Sequence, residues 1–134
     1  MNPVVHFEMP YTDRARMVAF YAKAFGWKSQ LLGEEMGSYA VMTTTEMDEK
    51  TQFPKEPGRI NGGFFRRMPD NQHPSVVIAV SDIRAAMKRV TESGGNLVGA
   101  EVPGEPMNIP GIGLYIGFID TEGNRASLIQ PVGM

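Results

Sequence analysis

Polar and apolar positions alternate at the start of the chain, with Val5, Phe7 and Met9 set against His6 and Glu8. A period of two predicts a half-buried strand. Pro10 is expected to end it, because proline has no N–H to donate. The period then changes. Met17, Phe20, Tyr21 and Ala24 recur at i, i+3, i+4 and i+7, which predicts one apolar stripe on a helix. Thr12 or Asp13 supplies a short side-chain oxygen to cap its first turn, and Gly26 stands where a left-handed helix end is expected.

The unit returns. An offset of 69 residues pairs Asp13 with Asp82, Phe7 with Val76, Met9 with Ile78, Met17 with Ala86, Tyr21 with Val90 and Gly26 with Gly95. Phe20 meets Arg89, a charged residue in the apolar stripe. The second copy predicts a strand over 76–80 and a helix over 82–93.

Three strands are expected after each helix. In the first half they are 27–32, 38–43 and 60–67, with Tyr39, Val41 and Thr43 on one face of the second. Gly62 and Gly63 inside the third imply a bulge or a close backbone approach. In the second half the strands are 96–100, 112–119 and 125–130, with Leu114, Ile116 and Phe118 opposite Tyr115. Segments 44–58 and 101–111 are polar, proline-containing loops. Turn residues at 68–73 mark the internal boundary. The expected architecture is α+β: a single domain over 1–134 made of two tandem βαβββ modules, approximately 1–68 and 73–134. Each helix covers one sheet face, and the curved mixed sheets leave the other face to form a cleft.

Composition narrows the function. At 134 residues and 42% hydrophobic, the chain is long enough for one shared core and too apolar to be disordered. No apolar run is long enough to cross a bilayer, and the N-terminus lacks a secretory pattern. Cytoplasm is the default compartment. The absence of cysteine excludes disulfides and thiolate metal sites. A net charge of −2 with scattered basic residues argues against nucleic-acid binding. The ten methionines are chiefly core filler, with an adaptable apolar pocket as the alternative. Trp27, Tyr39, Phe64 and Tyr115 are candidates to line an apolar cleft, although each residue type is more commonly core. No Ser-His-acid set and no phosphate loop can be assembled.

Three stretches, in order, carry a family resemblance: His6-Phe7-Glu8-Met9 followed by Asp13, then Phe20-Tyr21 with Phe25-Gly26-Trp27, and Asp120-Thr121-Glu122-Gly123-Asn124 before the last strand. Together they resemble the vicinal oxygen chelate superfamily of glyoxalase I, bleomycin-resistance proteins and extradiol dioxygenases. The likeness is nearest to its small glyoxalase-related members and covers essentially the whole chain. It implies two βαβββ modules around a cleft, and a divalent metal held by side chains of the modules' first and last strands. His6 matches the first-strand ligand position and shares its face with Glu8. The equivalent second-module position is Ser75, and the last-strand glutamate position is Ser127. A serine hydroxyl is a poor replacement for a carboxylate. A variant set of His6, Glu8 and His73 is the remaining route to three donors.

The resemblance leaves two functional classes. One is a metal-independent binder of a small organic ligand, in which His6 and Glu8 are also the candidate catalytic residues and Tyr39, Phe64 and Tyr115 the candidate ligand contacts. The other is a metal-dependent enzyme like lactoylglutathione lyase or a dioxygenase, acting as a lyase, isomerase or oxygenase with His6 as metal ligand. No cofactor is expected with the first, a divalent metal with the second. Short members of the superfamily form homodimers, so a homodimer is expected.

Overall fold

The computed structural model describes residues 1–133. The chain divides into two compact units, the first His6–Pro74, the second Met1–Val5 together with the segment from Ser75 on. Met1–Val5 join the later segment in part through the Ala79 N–H, which donates to the Pro3 carbonyl at 2.9 Å.

The first unit contains β1 (Val4–Tyr11, from His6 on), α1 (Arg14–Phe25), β2 (Lys28–Leu31), β3 (Ala40–Thr43) and β4 (Asn61–Arg66). Its strands lie in the order β2-β3-β4-β1. The β2–β3 and β3–β4 pairs are antiparallel, and β4–β1 is parallel. Asp13 caps α1, its carboxylate accepting from the Arg16 N–H at 3.0 Å, and Gly26 closes the helix at φ 73°. The conformation costs glycine nothing because it has no Cβ.

Two local expectations shift. Pro10 lies inside β1, paired with Phe65. The Tyr11 carbonyl accepts from the Arg67 N–H, so alternate residues bond to β4 and the missing N–H of Pro10 faces away from that ladder. The buried stripe of α1 is also rotated. Met17, Val18 and Tyr21 pack on the core, whereas Ala24 is exposed and Phe20 keeps 58% of its surface. Arg14 sets this phase: its guanidinium donates to the Leu32 and Ser38 carbonyls at 2.8 and 3.0 Å.

The second unit adds β5 (Ser75–Ala79), α2 (Ile83–Glu92), β6 (Asn96–Val98), β7 (Met107–Ile109), β8 (Gly113–Ile119) and β9 (Arg125–Pro131). Its order is β5-β9-β8-β6, with β7 also on β8. The β5–β9 pair is parallel and the others antiparallel. β7 falls in the segment expected to be all loop; Met107 and Ile109 supply a short alternation between prolines. Asp82 caps α2 through the Ala85 N–H at 3.1 Å. The Ile83 N–H is satisfied by Gln130 Oε1 at 2.9 Å.

Each helix covers one face of its own sheet. In the first unit the core is Tyr11, Ala40, Met42 and Phe64, with Phe7, Met9, Met17, Tyr21 and Trp27 against it. Tyr21 stacks on Trp27 at 4.6 Å between ring centres. Phe64 is fully buried, which stabilises the fold by roughly 1.5–3 kcal/mol. In the second unit Val80, Ile83, Ala86, Met87, Ile116 and Leu128 form the core. The inward helix positions correspond at the 69-residue offset: Arg14 with Ile83, Met17 with Ala86, Val18 with Met87, Tyr21 with Val90. Phe20 and Arg89 are both exposed, so their mismatch falls outside the stripe. No helix among the described residues is long and apolar enough to cross a membrane.

Candidate functional site

The sheet face opposite each helix holds the polar residues of interest. Strand parity puts them there. In the first unit the register His6↔Asn61 and Glu8↔Gly63, continued by Val41↔Gly63, places His6, Glu8, Asn61, Tyr39, Val41 and Thr43 together on the helix-free face. Phe7, Met9 and Phe64 turn to the helix.

The paired glycines make this face. A Cβ on Gly63 would run into the Tyr39 ring and hydroxyl, and one on Gly62 into the Phe7 ring on the opposite side. Tyr39 therefore lies flat across β4, and its hydroxyl reaches His6 Nε2 at 3.3 Å. Burial lowers the His6 pKa to about 4, so the ring is neutral at pH 7 and one of its nitrogens is an acceptor. Glu8 is buried on the same face, with 8% of its surface exposed. Asn61 Oδ1 accepts from the Thr44 and Thr45 N–H groups at 2.7 and 3.1 Å. That fixes the orientation of the amide and leaves Asn61 Nδ2 buried without a partner.

The second unit repeats the arrangement with different residues. Registers Val77↔Ser127, Gly117↔Ser127 and Tyr115↔Ile129 put Ser75, Val77, Ser127, Tyr115 and Arg125 on the helix-free face. Ser127 occupies the position that Gly63 holds in the first unit, and Tyr115 that of Tyr39. The Tyr115 hydroxyl is 2.7 Å from Ser127 Oγ. Ser127 is almost completely buried. The Arg125 guanidinium lies over Gly117, where a Cβ would meet Nη2.

The expected site residues thus divide. His6, Glu8 and Tyr39 come together on one face of the first unit. Tyr115 lies on the helix-free face of the second, as do Ser75 and Ser127. Phe64 is in the core on the helix side and has no surface to offer a ligand. His73 is exposed in the segment before β5 rather than on a strand. Asn61 was missed; a strand asparagine carries no signal until its amide is seen to be half satisfied.

The donors do not fit a metal centre of the superfamily's type. Among the described residues, His6 and Glu8 are the only His, Asp or Glu on the strands of the first unit, and the serine at the last-strand position is hydrogen-bonded to a tyrosine. Among the described residues no three His, Asp or Glu side chains gather closely enough to hold an ion. A neutral imidazole with pKa near 4 is poorly matched to taking up protons at pH 7. It is suited to accepting a hydrogen bond from a hydroxyl or donating one to a carbonyl.

A family model described as glyoxalase-like domain matches residues 6–129. Solved structures share the fold at low identity. A hypothetical protein from Bacillus halodurans is 11% identical, with TM-score 0.67 and coverage of 99% of this chain and 96% of that one. The Streptomyces coelicolor methylmalonyl-CoA epimerase in complex with 2-nitronate-propionyl-CoA is 12% identical, TM-score 0.68, covering 100% and 97%. The methylmalonyl-CoA epimerase from Mycobacterium tuberculosis is 14% identical, TM-score 0.63, covering 96% and 87%. No curated protein matches the chain.

Proposed function

This chain belongs to the glyoxalase-like domain family, and we propose that it binds a small oxygen-bearing organic ligand on the helix-free face that carries His6, Glu8 and Tyr39, without a divalent metal. The observation that carries the reading is the donor set. One neutral imidazole and one carboxylate share β1, and Ser127, at the last-strand ligand position, bonds to Tyr115 at 2.7 Å. A ligand hydroxyl or carbonyl has hydrogen-bonding partners in His6 and Tyr39, with Val41 as apolar wall. Tyr115 offers the second unit's face the same kind of phenol. If the ligand is turned over, Glu8 is the remaining candidate for proton transfer on this face.

The ligand screen includes CoA thioesters, the class named for the Streptomyces neighbour, beside small hydroxy- and keto-acids. Binding is read by thermal shift in metal-free buffer. The reading expects a saturable rise in Tm with at least one ligand, lost in Tyr39→Ala and His6→Ala. A ligand that stabilises the protein only when Zn, Ni, Mn or Fe(II) is added would overturn it. The protein is also expected to be a homodimer. Phe20, Phe25 and Leu31 each keep more than half of their surface and supply apolar area for an interface. Light scattering at the 14.8 kDa monomer mass at micromolar concentration would count against this.

A further inference from the structure

Tyr39 reaches the helix-free face from the end of a tight reversal, and the chain there is gripped from the other side of the sheet. After β2 a single helical turn over Glu34–Met36 leads to Gly37 and Ser38, both left-handed, at φ 66° and 53°. Glycine adopts that conformation freely; serine keeps it only where its surroundings hold it. Ser38 is buried, and its N–H donates to the Gly33 carbonyl at 3.0 Å.

The peptide joining Ser38 to Tyr39 is fixed at both ends. The Ser38 carbonyl accepts from the Tyr11 hydroxyl at 2.7 Å and from Arg14 Nη1 at 3.0 Å, so both lone pairs of the oxygen are used. The Tyr39 N–H donates to the Met36 carbonyl at 3.3 Å. The next peptide is fixed as well, because the Tyr39 carbonyl accepts from the Leu32 N–H at 2.9 Å. With the planes on both sides set, the direction of the Tyr39 Cα–Cβ bond is set. Tyr11 belongs to the helix-side core and Arg14 opens α1. The grip therefore comes from the helix side, and the ring leaves on the opposite face, onto Gly63 and His6. Tyr11 also shares β1 with His6, so one strand registers the phenol against the imidazole it meets.

We propose that Tyr11 and Arg14 are positioning residues for the ligand face, acting through the Ser38 carbonyl to hold the Tyr39 ring over Gly63. Their service to ligand binding rests on the reading of Tyr39 as a ligand contact; the grip itself does not. A phenol held in place before the ligand arrives needs no ordering on binding.

The test is the NMR resonance of the Gly63 α-protons, which the Tyr39 ring current displaces; Tyr39→Leu gives the value without the ring. It is measured on the full chain without ligand. Tyr11→Phe and Arg14→Met should each reduce the displacement, and the double variant should remove at least half of it. Arg14→Lys, which keeps a donor, should retain more of it than Arg14→Met. Met17→Ala, which opens a gap against the same core, is the control for plain destabilisation and should leave the displacement as in the parent. Arg14 is only partly buried, so Arg14→Met folds, which a thermal melt verifies, and it carries the test if the double variant does not. A displacement unchanged in both Arg14→Met and Tyr11→Phe would overturn the proposal. So would an equal loss in Met17→Ala. Loss of the displacement as expected, with no ligand found for the Tyr39 face, would uphold the grip and overturn only the ligand reading.

Discussion

The Tyr115 hydroxyl lies 2.7 Å from Ser127 Oγ, across the β8–β9 ladder and two residues out of register. Tyr39 stands in the same relation to Gly63 in the first unit. Each unit therefore lays a tyrosine over the middle of its strand parallel to the leading one. In the second unit that middle residue holds the last-strand ligand position implied by the superfamily. The serine hydroxyl there is spent on a phenol, and a hydrogen-bonded neutral pair replaces a charged donor.

A double-mutant cycle on this pair should show coupling. Tyr115→Phe and Ser127→Ala each remove one partner and leave the other without its bond, at a cost of about 1–3 kcal/mol where the survivor is buried. The double variant should be less destabilised than the sum, by about 0.5–1.5 kcal/mol. Urea melts give all three values. Strict additivity would mean the hydroxyls do not bond.

Gly63→Ala should push Tyr39 off β4. The obstacle is the far end of a tyrosine rather than backbone, so the chain folds, at a cost of about 1–3 kcal/mol for overpacking. With the ring displaced, His6 becomes more hydrated and its pKa rises from about 4 toward 6.5. NMR titration of the imidazole reads this directly. An unchanged His6 pKa would show that Tyr39 does not keep water from the ring.

Stability should depend on pH through His6. Its folded pKa of about 4 lies below the unfolded value of 6.5, so the unfolded chain binds the proton more tightly. The contribution is fully present above pH 6.5, declines as pH falls, and is lost by about pH 4. A shift of that size corresponds to about 3 kcal/mol at most. His6→Gln should flatten the stability profile between pH 6.5 and 4. Asp48 and Asp120, whose pKa values are lowered by backbone hydrogen bonds, act at lower pH and stay in the variant. A profile unchanged by His6→Gln would contradict the burial account.

Much of the fold was legible because its signals are local. Asp13 and Asp82 cap their helices as short acceptors do, and strand alternation put His6 and Glu8 opposite Phe7 and Met9. What failed depended on neighbours. Pro10 is tolerated because its N–H would face away from β4, which no single strand reveals. The phase of α1 follows Arg14, whose reach to Leu32 and Ser38 is tertiary. Phe64 reads as a cleft aromatic by type, yet register turns it to the core. For the site, sequence showed that Ser75 and Ser127 stand at the ligand positions the resemblance implies. It did not show that Tyr115 covers Ser127 or that Tyr39 covers Gly63, because strand register brings each pair together.

The most direct test of the metal-free reading is metal analysis of protein purified without chelator or immobilised metal, followed by titration with Zn, Ni, Mn and Fe(II). The account predicts substoichiometric metal as purified and no saturable binding at micromolar metal, with His6→Ala indistinguishable from the parent. One tightly bound ion per chain, lost in His6→Ala, would contradict it.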